Sequence, residues 1–185
     1  MNNERISKRY AKSIYVLSEQ QNNTEIILKD MKIVLSLIKE SKDFKNFLFS
    51  PILKPKKKIE IIENILKSHV SKETIQHITL ITNNSRESFL DHIIINFIKI
   101  YKKQKNILSV KIKSPYEISE KQKDLIVNYL GYSENQKIDF QVEIDKKIIG
   151  GLIVESEGKQ LDVSILSKLQ SLKTKFSKNL YIKQY

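Results

Sequence analysis

From Glu4 to about Asn106 the apolar positions recur at helical spacing. Ile6, Tyr10, Ile14 and Leu17 are four, four and three residues apart and share one helix face. Ile27, Met31, Val34, Leu35 and Ile38 form a second stripe, separated from the first by Asn22-Asn23-Thr24, which offers capping side chains. A short apolar piece with Phe44, Phe47 and Leu48 stops at Ser50-Pro51. Pro55 stands in the first turn of a fourth helix, faced by Ile59, Ile62 and Leu66. Ser71 is placed to cap a fifth helix carrying Ile75, Ile78 and Ile81, which Asn83-Asn84-Ser85 breaks. A sixth runs through Phe89, Ile93, Phe97, Ile100 and Tyr101. Six short amphipathic helices with short connections predict a helical bundle.

After Asn106 the period changes from about 3.6 to 2. Leu108, Val110 and Ile112 alternate with Ser109, Lys111 and Lys113, which predicts a strand ended by Ser114-Pro115. Ser119-Glu120-Lys121-Gln122 is a capping box opening a helix with Leu125, Ile126 and Tyr129, and Gly131 is placed to end it. Ile138, Phe140, Val142 and Ile144 alternate as a second strand, and 148–154 leads into a third. Asp162 or Ser164 is the cap of a last helix with Ile165, Leu169, Leu172 and Phe176. The predicted fold is mainly α: a six-helix bundle over residues 1–106, then a small α+β domain over 107–185.

Composition narrows the chemistry. The chain has 185 residues, enough to bury roughly 70% of its unfolded surface. It has no cysteine, which excludes disulfides, thiolate metal sites and a cysteine nucleophile. The balance is 33 basic to 21 acidic side chains, net +12. Residues 1–106 hold 20 basic and 11 acidic groups, net +9, so an electrostatic partner is expected on the helical half. Only Arg5, Arg9 and Arg86 are arginines, and lysine, isoleucine and asparagine are abundant throughout. That looks like a compositional bias rather than a nucleic-acid footprint, for which bidentate arginine is better suited. No apolar stretch approaches the ~20 residues of a membrane span, and the start lacks the apolar core of a signal peptide.

No catalytic constellation emerges. His69, His77 and His92 fit no metal-ligand spacing. There is no Gly-x-Ser-x-Gly elbow. Gly150-Gly151 has apolar, β-branched flanks, which suits a bulge or sharp turn better than a phosphate loop. Asp162-Val163-Ser164 is explained by helix capping without a nucleophile. Lys54-Pro55-Lys56-Lys57-Lys58 reads either as a phosphate-binding patch or as the solvated start of a helix. The residues alone predict a binding or scaffold module without cofactor or metal.

Several motifs, in order, carry a family resemblance. Arg9-Tyr10-Ala11-Lys12-Ser13-Ile14 resembles the Arg-Tyr-Ala-x-Ala-Leu opening of the δ subunit of F-type ATP synthases, the family of the mitochondrial oligomycin-sensitivity-conferring protein. Phe47-Leu48-Phe49-Ser50-Pro51 and the following Lys57-Lys58 are similar to its third helix and fourth-helix start. Asn84-Ser85-Arg86 stands where the family tends to have Asn-Gly-Arg. Ile148-Ile149-Gly150-Gly151-Leu152-Ile153 and Leu161-Asp162-Val163-Ser164 resemble its Ile-Gly-Gly-x-x-Ile strand and its Asp-Gly-Ser turn into the final helix. Ser85 and Val163 replace the usual glycines, so those two turns are expected to be shaped differently.

The resemblance implies a stator subunit without catalytic groups, linking the catalytic head to the peripheral stalk and resisting torque during ATP synthesis. It implies that the helical half holds the N-terminal helix of a catalytic-head α subunit, between the first and fifth helices. The matching positions are Tyr10, Ser13 and Ile14, with His77, Leu80 and Ile81. Bundle core is the competing role for each, and a helix can divide its faces between both. The second half is expected to meet the stalk b subunits around Gly150, Gly151, Leu169 and Leu172 of the last helix. Membrane association would come only through the complex, on the cytoplasmic side of a bacterial inner membrane. A lysine-driven nucleic-acid adaptor is the alternative, and it predicts strongly salt-dependent binding.

Overall fold

The computed structural model describes residues 2–50, 52–131, 137–156 and 158–178. The chain divides into two compact units, Met1–Gln104 and Lys105–Tyr185. The predicted class, mainly α with an α+β C-terminal part, is what the structure has.

The first unit contains α1 (Asn2–Gln20), α2 (Thr24–Glu40), α3 (Lys42–Phe49), α4 (Pro55–Leu66), α5 (Lys72–Asn83) and α6 (Leu90–Gln104). A single 3-10 turn, Glu87–Phe89, leads into α6. The core is built from the predicted stripes: Ile14, Ile27, Met31, Val34, Ile62, Leu66, Ile78, Ile81, Ile93 and Phe97 are buried. α1 packs chiefly on α6, where the Tyr15 and Phe97 rings lie 6.3 Å apart at 51°. α5 packs on α4 and α2.

The helix ends show which local signals held. Pro55 is at the start of α4, and Ser71 Oγ accepts from the Thr74 amide at the start of α5. Of the capping side chains that Asn22-Asn23-Thr24 offers, Asn23 stands at the N-cap of α2 but makes no side-chain cap hydrogen bond. Its backbone (φ −117°, ψ 17°) is not the extended form that aims a cap at the helix, and its side-chain Nδ2 donates to Gln21 Oε1 instead. Asn22 takes the left-handed conformation that ends α1. Ser85 adopts φ 53°, a left-handed backbone more common in glycine, in a serine turn. The Arg86 amide reaches back to the Ile81 carbonyl across it.

The second unit contains β1 (Leu108–Ser114), α7 (Glu120–Leu130), β2 (Ile138–Ile144), β3 (Ile153–Ser156), β4 (Lys159–Asp162) and α8 (Ile165–Lys178). The strand order is β2-β1-β3-β4. β1 and β2 are parallel with α7 as their crossover, while β3 is antiparallel to both β1 and β4. The Ser119 capping box and the left-handed Gly131 bound α7 as the sequence predicts. The segment 148–154 leads into the third strand as expected, β3 beginning at Ile153, and β4 is additional to the three expected strands. Four residues, Lys-Gln-Leu-Asp, are too short and polar to show alternation, and the partner β3 makes them a strand.

This unit has a small core of Val110, Ile112, Ile126 and Val154. Of the expected apolar face of α7, only Ile126 is buried; Leu125 and Tyr129 are exposed. The stripe of α8 is exposed as well. A narrow four-stranded sheet cannot cover two complete helix faces.

Candidate functional site

The structure divides the predicted contact residues of the first unit. Ile14 is 3% exposed and Ile81 is 1% exposed. Both belong to the bundle core and have no surface left for a partner, which corrects their placement as contacts. Tyr10 is half-buried, packed against the core, with the Arg9 guanidinium 6.0 Å from its ring centre. Ser13 is exposed on the same helix. On α5, Leu80 is 55% exposed and opens onto a groove with Glu63 of α4 and with Ile75, Gln76, Thr79 and Asn83. α1 rests mainly on α6 and α5 mainly on α4, and both also touch α2.

His77 is half-buried on α5, and its Nε2 is buried without a hydrogen-bond partner. Burial lowers its pKa below the ordinary 6.5, against a smaller opposing pull from Glu73. The folded protein therefore binds this proton less tightly than the unfolded chain. Its effect on stability is absent above the ordinary value and becomes a loss as pH falls through 6.5. We expect the unfolding free energy to drop more between pH 7.5 and pH 5.5 in the wild-type chain than in His77→Gln. Urea titrations at the two pH values measure this; parallel drops would show that His77 does not contribute.

What places α5 is a side chain that sequence reasoning missed. Asp30 of α2 is buried, and its Oδ2 accepts from the Ser71 amide (2.8 Å), Ser71 Oγ (2.6 Å) and Thr74 Oγ1 (2.8 Å). The carboxylate sits against the first turn of α5, where the helix dipole favours negative charge. Its only signal in the sequence is an acid beside the Ile27–Met31 stripe.

The lysine run at the start of α4 is a solvated helix start with one exception. Lys54, Lys56 and Lys57 are exposed, but Lys58 is buried. Its Nζ donates to the Leu48 carbonyl (3.0 Å) and pairs with Glu87 Oε1 (2.5 Å). One of the four lysines is therefore a structural ion, joining α3, α4 and the 3-10 turn.

In the second unit the glycine pair has an intrachain role. Gly151 has φ 82°, and a Cβ there would lie 2.4 Å from the Val163 carbonyl oxygen and 2.8 Å from Ser164 Cα. A Cβ on Gly150 would meet Ile165 Cδ1 at 2.6 Å. The Ile165 amide donates to the Gly150 carbonyl, and the Val163 amide to Leu152. Asp162 Oδ1 accepts from the Ser164 amide, and Ser164 Oγ from the Ser167 amide. The Ser164 side chain, then its backbone amide, holds the Asp162 carboxyl below its ordinary range. Gly150 and Gly151 thus moor the start of α8. Leu169 and Leu172 are exposed on that helix. A separate apolar depression is lined by Leu125 and Tyr129 of α7 with Leu152, Leu161 and Val163.

Among the described residues, no three His, Asp or Glu side chains gather as a metal site would require. No described helix is long and apolar enough to cross a membrane. The profile of the ATP synthase delta (OSCP) subunit family matches residues 6–176. The chain belongs to the ATP synthase delta (OSCP) subunit family.

Relatives agree over nearly the whole length. The ATP synthase subunit delta of Clostridium botulinum (strain Langeland) is 28% identical over 170 residues, covering 92% of this chain and 95% of the relative. That of Prochlorococcus marinus (strain MED4) is 28% identical, with 91% and 94% covered. A chain from the cryo-EM structure of the Toxoplasma gondii mitochondrial ATP synthase hexamer superposes with a TM-score of 0.71. It is 16% identical, and the match covers 92% of this chain and 97% of that one. As a delta (OSCP) subunit the protein is a non-catalytic stator component of an ATP synthase complex, peripheral to the membrane. Neither the family nor the relatives supports the nucleic-acid adaptor.

Proposed function

We propose that each unit grips one side of a joint. The N-terminal unit, 1–106, holds the N-terminal helix of a catalytic-head α subunit, and the C-terminal unit, 107–185, holds the peripheral-stalk b subunits. The subunit then sits on the cytoplasmic side of a bacterial inner membrane, held there through the complex. On the head side the remaining contacts are Tyr10 and Ser13 of α1 with His77 and Leu80 of α5. The observation that carries this reading is Leu80, a large apolar side chain more than half exposed on a helix whose other apolar residues face the core. Helix-in-groove recognition needs such anchors. The net +9 of the first half would steer an acidic partner helix and speed docking. On the stalk side, Leu169 and Leu172 make contact, with Gly150 and Gly151 holding their helix in place.

The head contact is tested by calorimetry of the purified chain with the first ~25 residues of its own organism's ATP synthase α subunit, a helix of about 37 Å. One-to-one binding with sub-micromolar affinity is expected. Leu80→Asp, an exposed change, should weaken it by about 2 kcal/mol, the loss of one anchor residue. Ser13→Arg should weaken it too, because the helix lies between α1 and α5. Loss with Glu63→Arg but not with Ser13→Arg would move the peptide to the α4–α5 groove and overturn that placement. No binding, with salt-sensitive RNA binding instead, would overturn the head contact altogether.

A further inference from the structure

α8 presents an apolar seam to solvent. Ile165, Leu169, Leu172 and Phe176 are 46%, 55%, 47% and 76% exposed, although the last three lie well beyond the mooring at Gly150–Gly151. Their spacings of four, three and four are those of alternating a and d positions in a heptad. With Leu169 and Phe176 at a, Lys168 and Lys175 fall at g, and Leu166 and Lys173 fall at e. The helix contains four lysines and no acidic residue. By contrast α7 mixes Glu120 and Asp124 with Lys121 and Lys123. Of the remaining outer positions, Ser167, Gln170, Ser171, Thr174 and Ser177 are uncharged, and the fourth lysine, Lys178, falls at c in the last turn.

We propose that α8 is one half of a coiled-coil contact, whose other half is a partner helix with acidic residues flanking its apolar seam. This rests on the stalk reading of the C-terminal unit and adds the chemistry by which the partner is chosen. Two observations support a protein helix over a membrane surface. A helix lying in a bilayer interface has a charged outer face, whereas the outer positions here from 167 to 174 are serine, threonine and glutamine, with a single lysine, Lys178, at the end of the helix. Three of the lysines border the seam, where e and g charges select partner and orientation. Like-signed flanks disfavour pairing of α8 with a second copy of itself.

The test uses the full chain and two four-heptad peptides, both with leucine at a and d. One carries glutamate at every e and g, the other lysine; each repels itself and stays monomeric. Calorimetry should show the glutamate peptide binding about tenfold more tightly (1.4 kcal/mol), with the margin shrinking as salt rises. Leu169→Asp with Leu172→Asp should abolish binding. Lys168→Glu with Lys173→Glu and Lys175→Glu, all exposed positions, should reverse the preference. Equal affinity for the two peptides, or a preference that the triple variant leaves unchanged, overturns the proposal. So does binding to phosphatidylglycerol vesicles that both variants weaken while neither peptide binds. A parallel titration with the C-terminal segment of the organism's own stalk b subunit separates the two readings. Binding of that segment unaffected by either variant sinks the seam and leaves the stalk contact standing, whereas failure of the segment to bind sinks the stalk contact.

Discussion

Glu87→Ala is expected to cost about 3–5 kcal/mol of folding stability, the range for removing one partner of a buried ion pair. The Lys58 side chain is 3% exposed, and its ammonium would keep only the Leu48 carbonyl as acceptor. An ammonium group so placed cannot recover its hydration without opening the junction of α3, α4 and the 3-10 turn. The pair itself is not expected to be strongly stabilising, because desolvating both ions offsets most of their attraction. The double replacement Lys58→Met with Glu87→Leu should therefore recover most of the loss. Urea unfolding of the three chains, followed by helical circular dichroism, measures both effects. A double variant as unstable as Glu87→Ala would show that the junction depends on the charges themselves.

The same pair shows where the sequence stops being readable. Elements with their own periodicity were legible: the stripes of α2 and α6, the alternation of β1 and the capping box of α7. Those signals depend on neighbours within a few residues. Lys58 sits in a run of lysines, and its partner is 29 residues away, so nothing local marks it as buried. Asp30 is likewise 41 residues from Ser71. The candidate site was legible in the same uneven way. A helical stripe does not say which of its residues face the core, so Ile14 and Ile81 could not be separated from Ser13 and Leu80 by spacing alone. The glycine pair was readable as a special backbone. That its tightness serves the carbonyl of Val163 and the start of α8 required the fold. The α8 stripe shows the same limit, since apolar periodicity does not say whether the chain's own core or a partner covers it.

The uncovered seam and the buried ions fit a joint that transmits force. Such a link needs units whose internal geometry is fixed and whose partner-facing surfaces are left open. Lys58–Glu87 and the Asp30 cluster fix the helices of the first unit from inside, leaving Ser13 and Leu80 on its surface.

Asp30→Ala is expected to cost about 3 kcal/mol, since it strips a charged acceptor from three buried or half-buried donors at once. The Ser71 amide, Ser71 Oγ and Thr74 Oγ1 all converge on Oδ2. Ser71 Oγ and Thr74 Oγ1 lie 3.0 Å apart, so the two hydroxyls can partly satisfy each other, and the three losses will not add in full. Asp30→Asn keeps an oxygen for the hydroxyls and loses mainly the charge at the start of α5. Its cost should be nearer 1 kcal/mol, the scale of a helix-dipole interaction. The consequence for binding follows from what the cluster holds. Asp30 is the side-chain link from α2 to the first turn of the helix that carries His77 and Leu80. Asp30→Ala should therefore weaken the α-subunit peptide although Asp30 cannot touch it, while Asp30→Asn leaves peptide affinity near that of the wild type. Unfolding and calorimetry on the same two variants check the pair of expectations. An Asp30→Ala chain that loses stability but binds the peptide with unchanged affinity would show that α5 keeps its place without the cluster.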